Sequence, residues 1–360
     1  MSPRRRAAYP TINDVAERAG VSKSLVSRAL RGEPGVADGS RKRIIAAASA
    51  LGYRPNASAR SLAARRSDTI GFVIAGLFDP FWGEVIHAID RAAEQHGLSA
   101  LYMSGAIDSG DSDMWLDRFV EYRDIEAIER LLEYRIDGMG VGLAGHPDLE
   151  ALEEVASVAP LVAMMIDYRS SVFDTVTVDE ETALTLAIKH LRGLEHTEIA
   201  FLGEGTRPST RARLDAYLRA MELIAPGHDP IVHPCALLQG DGYETMRSVI
   251  QADQIPTAIV AVTDGVARGA VIALTEAGLS VPDDVSIVGY DDSMHAVAGQ
   301  PLLTTIRVPR RELGATTVRL LNERREGRSI TSTVMLRPSL VVRDSTGVST
   351  RNRRNLATRP

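Results

Sequence analysis

A short predicted helix that begins after Ser22 carries hydrogen-bond donors along one of its faces. Lys23 and Ser27 are four residues apart, as are Ser24 and Arg28, and this spacing places the four side chains on one side of the helix. An α-helix fits the major groove of B-DNA, where arginine can bridge guanine O6 and N7, and serine or lysine can reach base edges or phosphates. The pattern is typical of a DNA-reading helix, with an ordinary solvated face as the alternative.

Two predicted helices joined by a tight turn hold this face in place. Thr11 is a suitable N-cap for the first helix, Gly20 can end it in the left-handed conformation, and Ser22 can cap the second. Apolar residues recur at helical spacing in both: Ile12, Val15, Ala16 and Ala19 in the first, and Leu25, Val26, Ala29 and Leu30 in the second.

A third predicted helix closes the same small core. Ser40 is its expected N-cap, and Gly52 is expected to end it. Its core stripe is predicted to consist of Ile44, Ile45, Ala48 and Leu51. Two helices with a tight glycine-containing turn and a third helix that completes the core are helix-turn-helix architecture.

Basic residues are concentrated at the N-terminal end of the chain. Residues 1–66 contain 14 Lys or Arg and 4 Asp or Glu, a charge of +10, so the remaining 294 residues carry −16 of the net −6. A basic segment followed by an acidic remainder indicates that the first segment binds a polyanion, either nucleic acid or an anionic membrane surface.

Residues 56–67, NASARSLAARRS, are predicted to form a separate hinge. Asn56 can cap a helix there, but Leu62 is its one large apolar side chain. An isolated helix needs roughly 12–15 residues even in favourable sequences. We therefore expect a marginal hinge helix that becomes ordered only when another group holds it.

From residue 69 onward, apolar strands alternate with helices. The runs TIGFVIAG, LSALYM, LVAMMID, EIAFLG, AIVAVT and VSIVGYDD are separated by predicted helices at 81–96, 180–192, 210–224 and 264–277. This alternation predicts parallel sheets with helices on both faces, and its length predicts two α/β lobes. Ligands of such folds bind beyond the carboxyl ends of the strands. Residues 346–360 are polar and arginine-rich and are predicted to form a disordered tail.

The stretches TINDVAERAGVSKSLVSRALRG and SRKRIIAAASALGYRPNASARSLAARRS resemble the N-terminal module of the LacI/GalR family of bacterial transcription repressors. The resemblance implies a helix-turn-helix domain at residues 10–66, including the hinge, that binds double-stranded DNA. It implies that Lys23, Ser24 and Arg28 touch bases. The other DNA-contacting or capping positions that it implies are Thr11, Ser22, Ser27, Asn56 and Ala59.

The same resemblance gives Leu62 a role. The family's hinge leucine at this place wedges between two base pairs from the minor groove, which kinks the DNA at an unstacking cost of a few kcal/mol. The alternative is that Leu62 packs under the body of its own subunit.

Three further stretches resemble the rest of the family: IGFVIAGLFDPFW, the block from AIVAVTDG to GYDDS, and PLLTTIRVPRRELGATTVRLL. They imply a periplasmic-binding-protein-like domain at residues 68–345 that dimerises and binds a small-molecule effector, a sugar or sugar derivative, between two lobes. The implied effector-binding residues are Asp79, Phe81, Trp82, Asp167, Arg213, Thr263 and Asp291. An aromatic ring would stack on the ligand, an arginine would bridge its oxygens, and an aspartate would accept from its hydroxyls. Each residue also fits an ordinary ion pair or strand-end cap.

The sequence departs from the family pattern near the expected cleft. Asp79 stands where Asn usually begins the loop, Thr263 where Asn is typical, and Val308 where Gln is typical. The segment between Ser104 and Arg135 is longer than the usual turn and helix. These differences leave the identity of the effector open.

Other functional signals in the sequence are weak. The glycines of GVGLAG at 140–145 fit the spacing of a dinucleotide loop, but YRID precedes them where an apolar strand is required, so we expect them inside a strand. The histidines lack metal-ligand spacing and no nucleophile motif occurs, so no metal, cofactor or enzymatic activity is predicted. A single cysteine, Cys235, and the absence of a signal or a membrane-spanning run of roughly 20 apolar residues favour a cytoplasmic protein without membrane association.

Two hypotheses follow. The first is a repressor of carbohydrate-utilisation genes that binds a palindromic operator as a dimer and is released by its effector. The absence of leucine heptads after residue 340 favours a dimer over a coiled-coil tetramer. The second is a solute-binding or NAD-dependent α/β protein whose basic N-terminus is incidental.

Overall fold

The computed structural model describes residues 10–54, 66–74, 80–108, 120–122, 124–142, 149–205 and 208–349. The chain forms two compact units, residues 1–67 and residues 68–360, which we call the head and the body.

The described part of the head contains three helices: α1 (Ile12–Ala19), α2 (Lys23–Leu30) and α3 (Asp38–Leu51). Gly20 and Gly52 adopt left-handed φ angles of 66° and 64° and end α1 and α3, as the sequence predicts. The helices share one apolar core, which consists of Val15, Ala16, Val26, Ala29, Val36, Ile44, Ala47 and Ala48.

The start and the buried face of α3 differ from the prediction. The helix begins at Asp38 with Ala37 at the N-cap, so Ser40 lies inside the first turn and does not cap it. An acidic residue in the first turn is favoured by the helix dipole. The buried stripe follows Ile44 at three- and four-residue steps and includes Ala47, whereas Ile45 is 51% exposed.

The described part of the body contains two six-stranded sheets and one two-stranded ribbon. Its strands are β1 (Thr69–Ile74), β2 (Ser99–Ser104), β3 (Ala106–Asp108), β4 (Val120–Tyr122), β5 (Met139–Gly142), β6 (Leu161–Met164), β7 (Asp174–Val178), β8 (Ile199–Leu202), β9 (Ile231–His233), β10 (Ala258–Ala261), β11 (Ser286–Asp291), β12 (Thr304–Arg307), β13 (Thr333–Leu336) and β14 (Ser339–Val341). One sheet forms the centre of the lobe that we call the N-lobe, and the other forms the centre of the C-lobe. The sheet of the N-lobe has the order β13-β7-β6-β5-β1-β2 and is parallel throughout. The sheet of the C-lobe has the order β14-β12-β11-β10-β8-β9, and only its β12–β14 pair is antiparallel.

Helices cover these sheets. The helices of the body are α4 (Pro80–Gln95), α5 (Asp124–Leu132), α6 (Leu149–Val158), α7 (Glu180–Gly193), α8 (Pro208–Ile224), α9 (Gln239–Gln251), α10 (Asp264–Glu276), α11 (Met294–Val297) and α12 (Arg310–Arg325). Two α/β lobes with parallel sheets are the predicted architecture of the body. No helix in the described part of the chain is long and apolar enough to cross a bilayer.

The chain passes between the lobes three times. It leaves the N-lobe after β7, returns between β12 and β13, and leaves again between β13 and β14. After the second passage, α12 packs against α4 so closely that a Cβ on Gly314 would lie 2.7 Å from the carbonyl oxygen of Val85. Neither lobe is therefore a continuous segment of the chain.

Two glycines of the weak dinucleotide signal lie inside β5, as the sequence predicts. A Cβ on Gly140 would lie 2.5 Å from the ring of Phe72, and one on Gly142 would lie 2.3 Å from the indole of Trp82. Aromatic side chains thus occupy the space above these glycines, whose small size serves packing inside the lobe.

The C-terminal end of the body is more ordered than predicted. Residues 346–349 lie in the segment expected to be a disordered tail, but the Gly347 nitrogen donates to Ser286 Oγ at 3.0 Å and the Ser349 nitrogen donates to the Leu194 carbonyl oxygen at 2.9 Å. The same stretch lies beside Ser345, which is fully buried. Backbone pairing with the C-lobe holds these polar residues, a contact that their composition does not reveal.

Candidate functional site

Hydroxyl caps position α2 at the surface of the head. The Thr11 nitrogen donates to the Asp14 carboxylate at 2.6 Å and the Asp14 nitrogen donates to Thr11 Oγ1 at 3.4 Å, which is a capping box. After the turn at Gly20, Ser22 Oγ accepts from the Leu25 nitrogen at 3.3 Å. Both Thr11 and Ser22 are exposed. The two hydroxyls predicted to contact DNA or cap helices therefore fulfil the capping role in the free protein.

The four predicted DNA-reading side chains of α2 differ in their exposure and in their contacts within the head. Lys23 and Ser24 are exposed, whereas Ser27 and Arg28 are partly buried. The Arg28 guanidinium donates to the Pro34 carbonyl oxygen at 2.9 Å. One of the five N–H donors of Arg28 is thus engaged within the head.

Two residues that the sequence reasoning missed hold the C-terminal half of this face. Glu33 lies 3.4 Å from Arg28 Nε, and Arg31 donates to Glu33 at 2.7 Å and to Ser27 Oγ at 2.8 Å. The hydrogen bond from Arg31 lowers the pKa of the partly exposed Glu33 carboxyl. An acidic residue five positions after Arg28, in the turn that follows the helix, is the signal that could have found this contact.

Several predicted site residues lie outside the described residues. Asn56, Ala59 and Leu62 of the hinge and Asp79 of the loop before α4 belong to this group. Their roles stay predictions.

The remaining predicted effector residues lie at or just beyond the carboxyl ends of the strands. In the N-lobe, Phe81 and Trp82 begin α4 after β1 and are buried, with their rings edge to face at 5.1 Å. Asp167 is exposed and follows β6 on the same edge. In the C-lobe, Thr263 follows β10 and Asp291 ends β11, and α8 carries Arg213. The parallel order of the strands brings each set to one edge of its sheet.

Arg213 is the centre of a buried polar cluster. Its Nε donates to Glu180 at 3.4 Å and its Nη1 donates to the Val262 carbonyl oxygen at 2.8 Å. Its guanidinium carbon lies 3.7 Å from the centre of the Tyr290 ring, and Nη2 lies 3.9 Å from Asp291 Oδ1. Tyr290 donates its hydroxyl to the second oxygen of Glu180 at 2.5 Å.

The electrostatics of this cluster are those of a buried ion pair. The side chains of Arg213 and Glu180 are only 7% and 10% exposed. Burial raises the pKa of Glu180, and the Arg213 charge lowers it part of the way back. Burial alone would lower the pKa of Arg213, but the Glu180 carboxylate raises it above its ordinary value. Sequence reasoning found Arg213 and Asp291 but missed Tyr290, which directly precedes Asp291 on β11, and Glu180, which reaches the site from the start of α7.

Arg310, at the start of α12, joins the two lobes at the edge of this site. Its guanidinium donates to the carbonyl oxygens of Asp291 and Asp292 and pairs with Glu84 of α4 at 2.9 Å. It also lies 6.0 Å from the centre of the Phe81 ring. Asp291 and Asp292 have positive φ angles of 106° and 55°, a backbone conformation that costs energy in residues other than glycine. Arg310 thus holds a strained strand end against the N-lobe.

The hydroxyl of Thr263 makes hydrogen bonds that stabilise the fold. It caps α10 by accepting from the Val266 nitrogen at 3.1 Å and donates to the Leu237 carbonyl oxygen at 2.9 Å. The next residue, Asp264, is buried and accepts from Thr305 and from the Ser293 nitrogen, each at 2.6 Å. Burial raises the pKa of Asp264 to about 6. Among the described residues, no group of His, Cys, Asp and Glu is arranged to hold a metal ion.

Comparisons with known proteins match both units. A model of the lacI family of bacterial regulatory proteins matches residues 11–56, and a model of the periplasmic binding protein-like domain matches residues 188–346. The HTH-type transcriptional regulator DegA of Bacillus subtilis is 30% identical over 342 residues, which cover 93% of this chain and 98% of DegA. The HTH-type transcriptional repressor PurR of Pasteurella multocida is 30% identical over 347 residues, with the same coverage of 93% and 98%.

A solved structure extends the similarity to the full architecture. The crystal structure of the lac repressor dimer bound to operator and the anti-inducer ONPF has a TM-score of 0.83 and 28% sequence identity, covering 94% of this chain and 100% of that one. None of these three proteins is named for an enzymatic activity.

Proposed function

This chain belongs to the LacI family of bacterial transcriptional regulators, and we propose that it represses genes of sugar or carbohydrate utilisation. In this proposal a homodimer binds a palindromic operator in double-stranded DNA. A small-molecule effector, a sugar or sugar derivative, binds in the body and releases the protein from DNA.

The observation that carries the DNA-binding part is the geometry of α2. The caps at Thr11 and Ser22 and the turn at Gly20 present Lys23 and Ser24 to solvent at the first turn of the helix. The N-terminal residues of a recognition helix are those that contact base edges. In the proposal, Lys23, Ser24 and Arg28 read bases, and the remaining contacts come from Thr11, Ser22, Ser27, Asn56, Ala59 and Leu62.

The effector part is supported by the strand-end positions of the predicted residues. Phe81 and Trp82 provide buried aromatic surface, and Arg213 and Asp291 provide a donor and an acceptor. Hydrophobic or aromatic walls with a few convergent polar groups are typical of small-molecule sites. The proposed site also includes Asp79, Asp167 and Thr263.

The proposed release follows from differential binding. An effector can shift the protein between two states only by as much as its affinity for them differs. Contacts such as the Arg310–Glu84 pair join the lobes at the site, so a ligand between the lobes can favour one arrangement over another. Because a short hinge helix is marginal by itself, a coupling of about 1–3 kcal/mol is sufficient to order or melt it.

The test is recovery of an operator from genomic DNA. The purified full chain is incubated with fragmented DNA of its own genome, and the retained fragments are sequenced. We expect a short palindrome, whose neighbouring genes then supply the sugars to be tested for release. Lys23→Ala should abolish the enrichment, whereas Arg247→Ala, at an exposed arginine of the body, should leave it unchanged. Retention without a shared motif, lost at moderate salt, would refute the proposal, because it would show only polyanion binding.

A further inference from the structure

Glu180 occupies one of the donors through which Arg213 would attract an anion. The guanidinium has Tyr290 on one face, Glu180 at Nε and the Val262 carbonyl oxygen at Nη1. Among the described residues, Nη2 is the donor nitrogen that remains for a ligand, and the Asp291 carboxylate lies 3.9 Å from it. A ligand that reaches Arg213 therefore also meets a carboxylate.

The charge of Arg213 is compensated before any ligand arrives. Two carboxylates, Glu180 and Asp291, lie within 3.4 Å and 3.9 Å of the one guanidinium. Both oxygens of Glu180 accept a hydrogen bond, one from Arg213 and one from Tyr290. These two hydrogen bonds and the Arg213 charge favour the ionised form of Glu180 and oppose the effect of burial on its pKa. In that form, two carboxylates face the one Arg213 guanidinium.

We propose that Glu180 determines the charge class of the effector: the site accepts an uncharged ligand with neighbouring hydroxyls and rejects phosphates and carboxylates. One hydroxyl of such a ligand accepts from Arg213 Nη2 while the next donates to Asp291. An anion would place a further negative charge beside two carboxylates in a site with little solvent, where repulsion is poorly screened. The inference rests on the proposed effector roles of Arg213 and Asp291.

Removal of the Glu180 charge should convert the cluster into an anion site. Glu180→Gln keeps the shape of the side chain and leaves Arg213 with one carboxylate neighbour. We expect it to bind inorganic phosphate at least roughly tenfold more tightly than the unaltered chain, since a repulsive charge a few ångströms away is lost. The measurement is the thermal unfolding midpoint of the full chain against phosphate concentration, with sodium chloride holding the ionic strength constant.

The neighbouring Glu181 provides a matched control. It is the next residue in the chain, is 53% exposed and pairs with the equally exposed Arg219, so Glu181→Gln makes the same chemical change outside the cluster. Glu181→Gln should respond to phosphate as the unaltered chain does, which also accounts for phosphate bound by the basic head. Tyr290→Phe removes the hydrogen bond to Glu180 without altering the charge and should gain no phosphate binding.

Two outcomes would overturn the inference. One is equal phosphate affinity of Glu180→Gln and the unaltered chain, and the other is an equal gain in Glu181→Gln. If Glu180→Gln does not fold, Asp291→Asn removes the other carboxylate at a positive-φ position that asparagine tolerates, and it should also gain phosphate binding. Operator recovery is measured on the same preparations: its loss with the phosphate gain intact refutes only the proposed repressor function, and its presence without the gain refutes the role of Glu180.

Discussion

Gly269 of α10 lies where α9 crosses it, and this contact allows a stability prediction of definite sign. A Cβ on Gly269 would lie 2.0 Å from the carbonyl oxygen of Gln239 and 2.6 Å from the nitrogen of Tyr243. Both are backbone atoms, so no side chain can rotate away. Gly269→Ala therefore requires α9 to withdraw by about 1 Å before the contact reaches the 3.0 Å below which real Cβ contacts essentially never fall.

The expected change in the free energy of unfolding of Gly269→Ala follows from two opposing effects. Overpacking a close-packed interior costs about 1–3 kcal/mol, and replacing glycine by alanine within a helix returns about 1 kcal/mol. Because the obstruction is backbone, the cost lies at the upper end, and we expect a net loss of roughly 2 kcal/mol. Gly83→Ala is the matched control, since a Cβ there meets nothing within 4 Å, and this substitution in α4 should stabilise the protein.

The assay is urea and thermal unfolding of the body in both variants. Gly269→Ala should lower the urea midpoint without changing the slope, because the surface exposed on unfolding stays the same. A loss of this size lowers the thermal midpoint of a large domain by roughly 4–8 °C. Equal stability of Gly269→Ala and Gly83→Ala would refute the reasoning, because it would show that the helices separate without cost.

Three further predictions concern the buried carboxylate and the head. Burial raises the pKa of Asp264 to about 6, so its contribution to stability is full below pH 4 and is lost as the pH rises through 6. The contribution amounts to about 3 kcal/mol. The free energy of unfolding, measured across that pH range, should fall with rising pH in the unaltered chain but not in Asp264→Asn. Thr11→Ala removes the capping box with Asp14 and should destabilise the head by about 1 kcal/mol, measured by its thermal unfolding; an unchanged midpoint would contradict the capping role. Glu33→Gln removes the ion pair with Arg28 and a negative charge near the proposed DNA surface, so it should tighten DNA retention at a given salt concentration. Weaker retention would show that Glu33 orients Arg28 for binding.

What could be predicted from the sequence is what neighbouring residues determine. The caps at Thr11 and Ser22 and the left-handed ends at Gly20 and Gly52 depend on a few consecutive residues, and all four are present. Ile45 was misplaced because the apolar residues of α3 outnumber the positions on its buried face, and only the packing of three helices decides between them.

The cluster around Arg213 shows the limit of such reasoning. Glu180 lies 33 residues before Arg213, and no local pattern marks Tyr290 as a member of a polar cluster. Their meeting depends on α7, α8 and β11 packing into one lobe. Likewise, β13 and β14 are short strands whose partners, β7 and β12, lie far back in the chain, so local alternation does not indicate which sheet each one joins.

The three passages between the lobes impose an order on the folding of the protein during its synthesis. The described core of the head is complete within the first 54 residues, so it can form as soon as that stretch leaves the ribosome. Both sheets of the body are instead incomplete until their edge strands, β13 and β14, which lie far C-terminal to the head, have been synthesised. During synthesis the described core of the head can therefore form while the body is still incomplete.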